Sequence, residues 1–129
     1  MYPLSDFMSR DVLTVGRGLH LREAATKMVE RGVGAAVVVD GERLVGILTE
    51  RDVLRAVGTD SDAGATVEDC MTGHPEVVEP TETTDHAAAL MIHGGFRHLP
   101  VVDGGKVVGI VSIRDLVRVT LQDTSPRGA

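Results

Sequence analysis

Apolar and polar positions follow two rhythms along this chain, and the same order of rhythms is run through twice. Leu21, Ala24, Ala25, Met28 and Val29 recur at the spacing of one helical face, and Gly32 stops the helix they predict. Ala88, Met91 and Ile92 repeat the stripe, with Thr83 as N-cap, Asp85 near the positive helix end and Gly94-Gly95 closing it. The rhythm then shortens. Ala35 to Val39 and Leu44 to Leu48, joined by Asp40-Gly41, predict a β-hairpin, as do Leu99 to Val102 and Val107 to Val111, joined by Asp103-Gly104-Gly105. Pro100 has no N–H to donate and is expected at a strand start or edge. A second helix follows each hairpin, beginning at Thr49 or Ser112, with Val53, Leu54 and Val57, or Leu116, Val117 and Leu121, as apolar positions. Short extended pieces at Val12 to Val15 and Val77-Val78 complete a β-α-β-β-α order.

The two runs are copies of each other. Gly109-Ile110 lies 63 residues after Gly46-Ile47, and Asp40-Gly41, Met28, Met8, Arg51-Asp52 and Arg55 find their counterparts at the same offset without a gap. One copy alone would leave a face of its thin sheet bare. Two tandem βαββα repeats of an α/β (α+β) fold are therefore expected to pack sheet to sheet with pseudo-twofold symmetry, leaving two related clefts for a ligand. Repeat 1 is read as residues 1–57, a small, polar, flexible linker as 58–66, repeat 2 as 67–122 and a frayed tail as 123–129.

Composition narrows the function. With 129 residues and 43% hydrophobic content the chain can build its own core, filled by aliphatic residues because Tyr2, Phe7 and Phe96 are its only aromatics. A net charge of -6 argues against a nucleic-acid partner, which would draw on clustered Lys and Arg. Cys70 stands alone, the N-terminus lacks a signal-peptide layout, and the longest apolar stretch, Val33 to Val39, is too short for a bilayer, so a cytoplasmic protein without a membrane span is expected.

The chemistry concentrates in GILTERD, Gly46 to Asp52, and its copy GIVSIRD, Gly109 to Asp115, where a strand runs into a helix. Glycine allows close approach to the backbone, a hydroxyl at the helix start can bond a phosphate oxygen, and free amides there favour an anion. A carboxylate three residues on can accept hydrogen bonds from both vicinal hydroxyls of a ribose. The plainer reading is a capping box, in which Thr49 with Asp52, and Ser112 with Asp115, only satisfy helix amides. The identical Arg in both copies, Arg51 and Arg114, favours the ligand, because capping does not need it; surface ion pairs are its alternative use.

With both motifs quoted, and with Met8-Ser9, Met71-Thr72 and Phe96 to Asp103, the chain resembles tandem cystathionine-β-synthase-type (CBS) domain pairs, or Bateman modules, over residues 4 to 121. The resemblance implies a regulatory module that binds AMP, ADP, ATP or another adenosyl ligand between the repeats, often dimerises, and is not an enzyme. It further implies that Asp52 and Asp115 hold ribose, and that Thr49 and Ser112 contact phosphate. Adenine would lie between Thr14, Val15, Ala35, Ala36, Val37 and Ile47 in one site, and Val77, Val78, His98, Leu99, Pro100 and Ile110 in the other. Arg97 and His98 would hold phosphate with Arg51 and Arg114, but the first copy has Gly34 and Ala35 at the positions of Arg97 and His98, so the two sites are not expected to be equal.

No cofactor is expected beyond the nucleotide ligand, and no metal. His86 and His93 share a helix but show no tight ligand spacing with His74, His98 or Cys70, and solvated histidines account for them. Cys70 reads as a small buried residue rather than a reactive thiol. No strained nucleophile turn supports hydrolase chemistry. The rival reading is an interaction module with vestigial clefts that dimerises through the helices around Val53 to Val57 and Leu116 to Leu121. In either case the regulated partner is a separate, unidentified protein.

Overall fold

The computed structural model describes residues 2–124. After a 3₁₀ turn at Leu4–Asp6 come β1 (Thr14–Gly16), α1 (Leu21–Arg31), β2 (Ala35–Asp40), β3 (Arg43–Thr49), α2 (Glu50–Gly58), α3 (Val67–Cys70), β4 (Thr72–Gly73), α4 (Thr84–Gly94), β5 (His98–Asp103), β6 (Lys106–Ser112) and α5 (Ile113–Thr124). The strand-helix alternation is that of the expected mixed α/β fold. From residue 125 on, the expected tail lies outside the described residues.

Glycine ends both leading helices. Gly32 and Gly95 adopt left-handed φ values of 64° and 72°, and the Gly95 N–H caps α4 at the Met91 carbonyl. At the other end of α4, the Thr83 hydroxyl accepts from the His86 N–H at 3.2 Å. Val29 and Ile92, read from the sequence as part of the apolar stripes, are 80% and 76% exposed. The buried positions Leu21, Ala24 and Met28 define a narrow stripe, and Val29 lies roughly 100° round the helix from its centre.

The chain folds as two compact units, and neither coincides with one sequence copy. Asp11–Pro75 forms one; the described residues on either side, Tyr2 to Arg10 and Glu76 to Thr124, form the other. The opening residues of each copy are thus exchanged. Ser9 and Ile110 donate to each other's carbonyls at 2.9 Å, while β4, at the start of the second copy, pairs antiparallel with β3 through Thr72↔Ile47 and Gly73↔Gly46.

In the Asp11–Pro75 unit the sheet order is β1-β2-β3-β4, with β1 parallel to β2 and the other pairs antiparallel. In the other unit β5 and β6 form a hairpin flanked only by single bridges, Val78↔Val101 and Ser9↔Ile110. The strand expected at Val77-Val78 has shrunk to one bridge, and Pro100 is the reason. Its counterpart Val37 donates an N–H to the Leu13 carbonyl at 2.9 Å; Pro100 has none to give on the side where its carbonyl meets the Val78 N–H. Pro100 therefore sits in β5 as an edge-strand residue, as expected, though inside the strand rather than at its start, with its donorless side turned toward the single Val78 bridge. In the first copy β1 starts at Thr14 rather than Val12.

Helices cover one face of each sheet. Leu21, Ala24 and Met28 of α1 and Ala56 of α2 pack on Val15, Ala36, Val38 and Leu48. In the other unit Ala87, Met91 and Leu116 pack on Val78, Leu99, Val101 and Val111, with Leu4 and Met8 from the N-terminal stretch completing the core. The expected flexible linker is tied down within its unit. Arg22 holds Asp62 at 2.9 Å, Ala65 is buried, and its carbonyl accepts from the Leu21 N–H at 2.9 Å.

Candidate functional site

Each hairpin carries a second face, opposite the helix-packed core. Thr14, Val37 and Ile47 are direct neighbours across β1, β2 and β3, and Ala35 stands opposite Thr49 at the end of the same ladder. Directly paired residues present their side chains to the same side of a sheet. These five residues therefore share one face, with the Thr49 hydroxyl at its edge. In the other unit His98↔Ser112 and Pro100↔Ile110 repeat the arrangement.

This division sorts the residues expected around an adenine. Thr14, Ala35, Val37 and Ile47 lie on the common face, as do His98, Pro100 and Ile110. Val15, Ala36, Val78 and Leu99 instead turn their side chains into the cores under the helices, and only their backbone could meet a ligand. Val77 is exposed. Sequence proximity had merged two faces that the period-two alternation of a strand separates.

At the edge of each face a strand enters a helix through a complete capping box. The Asp52 Oδ2 accepts from the Thr49 N–H at 2.9 Å and the Thr49 hydroxyl at 3.1 Å, and the Asp52 N–H donates back to Thr49 Oγ1 at 3.3 Å. Asp115 Oδ2 accepts from the Ser112 N–H at 2.8 Å and its hydroxyl at 3.0 Å, with the Asp115 N–H to Ser112 Oγ at 3.2 Å. Thr66 and Asp69 form a third box on the four-residue α3, with no hairpin face before it. The hydroxyl-acid spacing by itself is thus a cap; what distinguishes the other two is the sheet face they border.

Each carboxylate keeps one oxygen outside its box. Asp52 Oδ1 lies 3.6 Å from Arg55 Nη1 and Asp115 Oδ1 3.7 Å from Arg118 Nη1, both pairs i,i+3 on their helices. Both arginines are mostly exposed, and such pairs contribute about 0–1 kcal/mol, so a hydroxyl-rich ligand can compete for that oxygen. Arg55 and Arg118 were visible in the sequence only as equivalent positions; their one-turn spacing from the acids was the missed signal. The Asp52 side chain is 5% exposed and that of Asp115 18%.

Two parts of the anion reading are corrected. The amides of the first helical turn are not all free: Glu50 N–H donates to the Gly34 carbonyl and Ile113 N–H to the Arg97 carbonyl, each at 2.9 Å, while the Asp52 and Asp115 amides serve their caps. An anion here would therefore draw less on the helix-start amides and more on hydroxyl and guanidinium groups. The motif glycines, in turn, admit protein. A Cβ on Gly109 would lie 2.5 Å from the Met8 sulfur and 3.0 Å from the Ser9 carbonyl oxygen, both in the same unit.

Arg51, Arg97 and Arg114 are all exposed, and His98 is half-buried. His86 pairs with Glu82 at 2.9 Å, and no cluster of three or more His, Cys, Asp or Glu poised for a metal occurs among the described residues. Cys70 is half-buried; burial pushes its thiol pKa up, and Asp69, Asp52 and Asp62 add to the shift. No helix among the described residues is long and apolar enough to cross a membrane.

Known proteins share this arrangement. The CBS domain family matches twice, over residues 4–59 and 67–121. A 17.7 kDa protein of Acidianus ambivalens, from the bps2 3′ region, is 43% identical over 121 residues, spanning 92% of this chain and 73% of its own. Among solved structures, the CBS domain protein PAE2072 from Pyrobaculum aerophilum, complexed with AMP, is 31% identical with a TM-score of 0.86, covering 95% of this chain and 97% of that one. The CBS domain pair of protein MJ0100, in complex with 5-methylthioadenosine and S-adenosyl-L-methionine, is 28% identical with a TM-score of 0.89, covering 95% and 98%. Two family matches in tandem, each ending in a hydroxyl-acid corner at the edge of a hairpin face opposite the helices, place this chain in the CBS domain family as a CBS domain pair.

Proposed function

We propose that this chain is a regulatory sensor of adenine nucleotides, of the AMP, ADP or ATP type, that catalyses nothing and binds its ligand in clefts between the two repeats. The observation that carries the reading is the repetition of one corner, Thr49 with Asp52 and Ser112 with Asp115, each bordering a face of small or apolar side chains. The adenosyl ligands of PAE2072 and MJ0100 support the class of ligand.

In this reading Asp52 and Asp115 hold the ribose through the oxygen outside the cap. Thr49 and Ser112 rotate their hydroxyls to phosphate, assisted by Arg51, Arg114, Arg97 and His98. Adenine lies on Thr14, Ala35, Val37 and Ile47, or on Val77, Pro100 and Ile110. A lone thiol and a nucleotide ligand both suit the cytoplasm. Ligand binding would shift the equilibrium between arrangements recognised by a partner protein.

Calorimetric titration with AMP, ATP, NAD and S-adenosylmethionine tests the proposal. Binding well below millimolar is expected for at least one of them, and Asp115→Asn should weaken it by about tenfold or more while leaving the cap's amide acceptor in place. If no compound binds tighter than millimolar, the sensor reading fails. A second reading, self-association, is favoured by the exposure of Leu54 and Val57 on α2 and of Val117 and Leu121 on α5. On that reading the module forms a homodimer whether or not it senses a nucleotide.

A further inference from the structure

The two corners share their backbone and differ in charge. The Gly34 carbonyl accepts from the first amide of α2, Glu50 N–H, and the Arg97 carbonyl from the first amide of α5, Ile113 N–H, both at 2.9 Å. Each helix start thus has a fixed neighbour in the loop before its hairpin. In the first copy that neighbour is Gly34, with no side chain, and the helix opens with the exposed carboxylate of Glu50. In the second it is the exposed guanidinium of Arg97, and the helix opens with the apolar Ile113.

The cross-strand partner of the hydroxyl differs in the same sense. Ser112 stands opposite His98, an imidazole that can donate to an oxyanion, whereas Thr49 stands opposite the methyl group of Ala35. Arg51 and Arg114 are common to both copies, so they cancel in the comparison. What remains is an added acid in one corner and an added base with an imidazole in the other.

We propose that the two corners divide adenosyl ligands by charge. The Arg97, His98 and Ile113 corner favours the phosphorylated nucleotide, while Glu50 and Gly34 weaken the hold of the first-copy corner on phosphate, so that it takes at least as readily an adenosyl ligand without it, neutral or cationic. The physical basis is the sign of the charge by which the two corners differ, which acts on a 5′-phosphate and leaves adenosine unaffected. This rests on the reading that both corners bind adenosyl ligands, and it adds a specificity determinant, Glu50, to that reading.

The probes are adenosine, AMP and ATP, titrated by calorimetry into the intact chain at low and high salt. Asp52→Asn and Asp115→Asn serve to silence one corner at a time. With the first corner silenced, AMP is expected to bind roughly tenfold or more tighter than adenosine, and the advantage should shrink with salt. With the second silenced, adenosine should bind at least as well as AMP. Arg97→Gln should abolish the AMP preference of the second corner, and Glu50→Ile should raise AMP affinity at the first by about tenfold.

Equal AMP affinity at both corners, unmoved by Glu50→Ile, overturns the division of labour yet leaves the sensor reading standing. Failure of all three probes to bind overturns the division of labour, and failure of NAD and S-adenosylmethionine as well removes the sensor reading with it. Circular dichroism melting of each variant, expected within a few degrees of the parent, separates a lost contact from a lost fold.

Discussion

The sulfur of Met71 occupies the space that a side chain on Gly46 would need. A Cβ at Gly46 would lie 2.5 Å from Met71 Sδ and 2.9 Å from the Thr72 carbonyl oxygen, although the two residues belong to different copies of the repeat. The motif glycine is therefore kept bare by the exchanged segment that closes the sheet, and the corner that follows it depends on that closure.

Gly46→Ala is accordingly expected to destabilise the chain by about 1–3 kcal/mol, read as a lowered midpoint in urea unfolding. Met71→Ala added to it should recover only part of the loss, since removing the thioether leaves the Thr72 carbonyl in place. An unchanged midpoint in Gly46→Ala would mean that β4 does not sit against β3 as described.

The thiol of Cys70 is expected to be sluggish. Burial first, and then Asp69, Asp52 and Asp62, raise its pKa, so the thiolate fraction near neutral pH is smaller than in the unfolded chain. Alkylation by iodoacetamide should be slower in the folded than in the urea-unfolded protein, and its rate should keep rising above the pH at which an ordinary thiol has levelled off. Because the folded value is the higher one, the linked stability is present in full below the unfolded thiol's pKa and is lost as pH rises through the folded value. Cys70→Ser should remove that part of the alkaline decline; an identical decline in the variant would rule out Cys70 as its source.

Exposed apolar side chains recur at equivalent places, Leu54 with Val117 and Val29 with Ile92. If α2 and α5 form a self-association surface, Leu54→Asp together with Val117→Asp should convert a dimer to a monomer by light scattering, whereas Val29→Asp with Ile92→Asp should not. A parent chain that is monomeric at tens of micromolar would dispose of the interface.

Much of the local structure was legible because its causes are local. The helix stops at Gly32 and Gly95, the cap at Thr83, the two hairpins and the hydroxyl-acid corners all depend on residues within a few positions of one another. The errors fell where a property depends on a neighbour distant in sequence. The sequence places Pro100 at a strand start or edge but does not say which partner it limits: the effect falls on the Val78 side, where the N–H that Val37 supplies in the first copy is missing. Residues expected to line one slot were split between two faces because run composition does not say which residues a helix will cover.

The internal offset, the turn glycines and the polar corners make the duplicated hairpin-and-helix unit a property of the chain itself, since backbone preference and short-range hydrogen bonds specify each piece. Which opening segment closes which sheet was decided only by tertiary structure. Met8 is nearer to Gly46 along the chain, yet it packs on Gly109, while Met71 takes Gly46. Both glycines offer the same cavity to either methionine, so local preference cannot choose between them; packing of the whole chain selects one pairing.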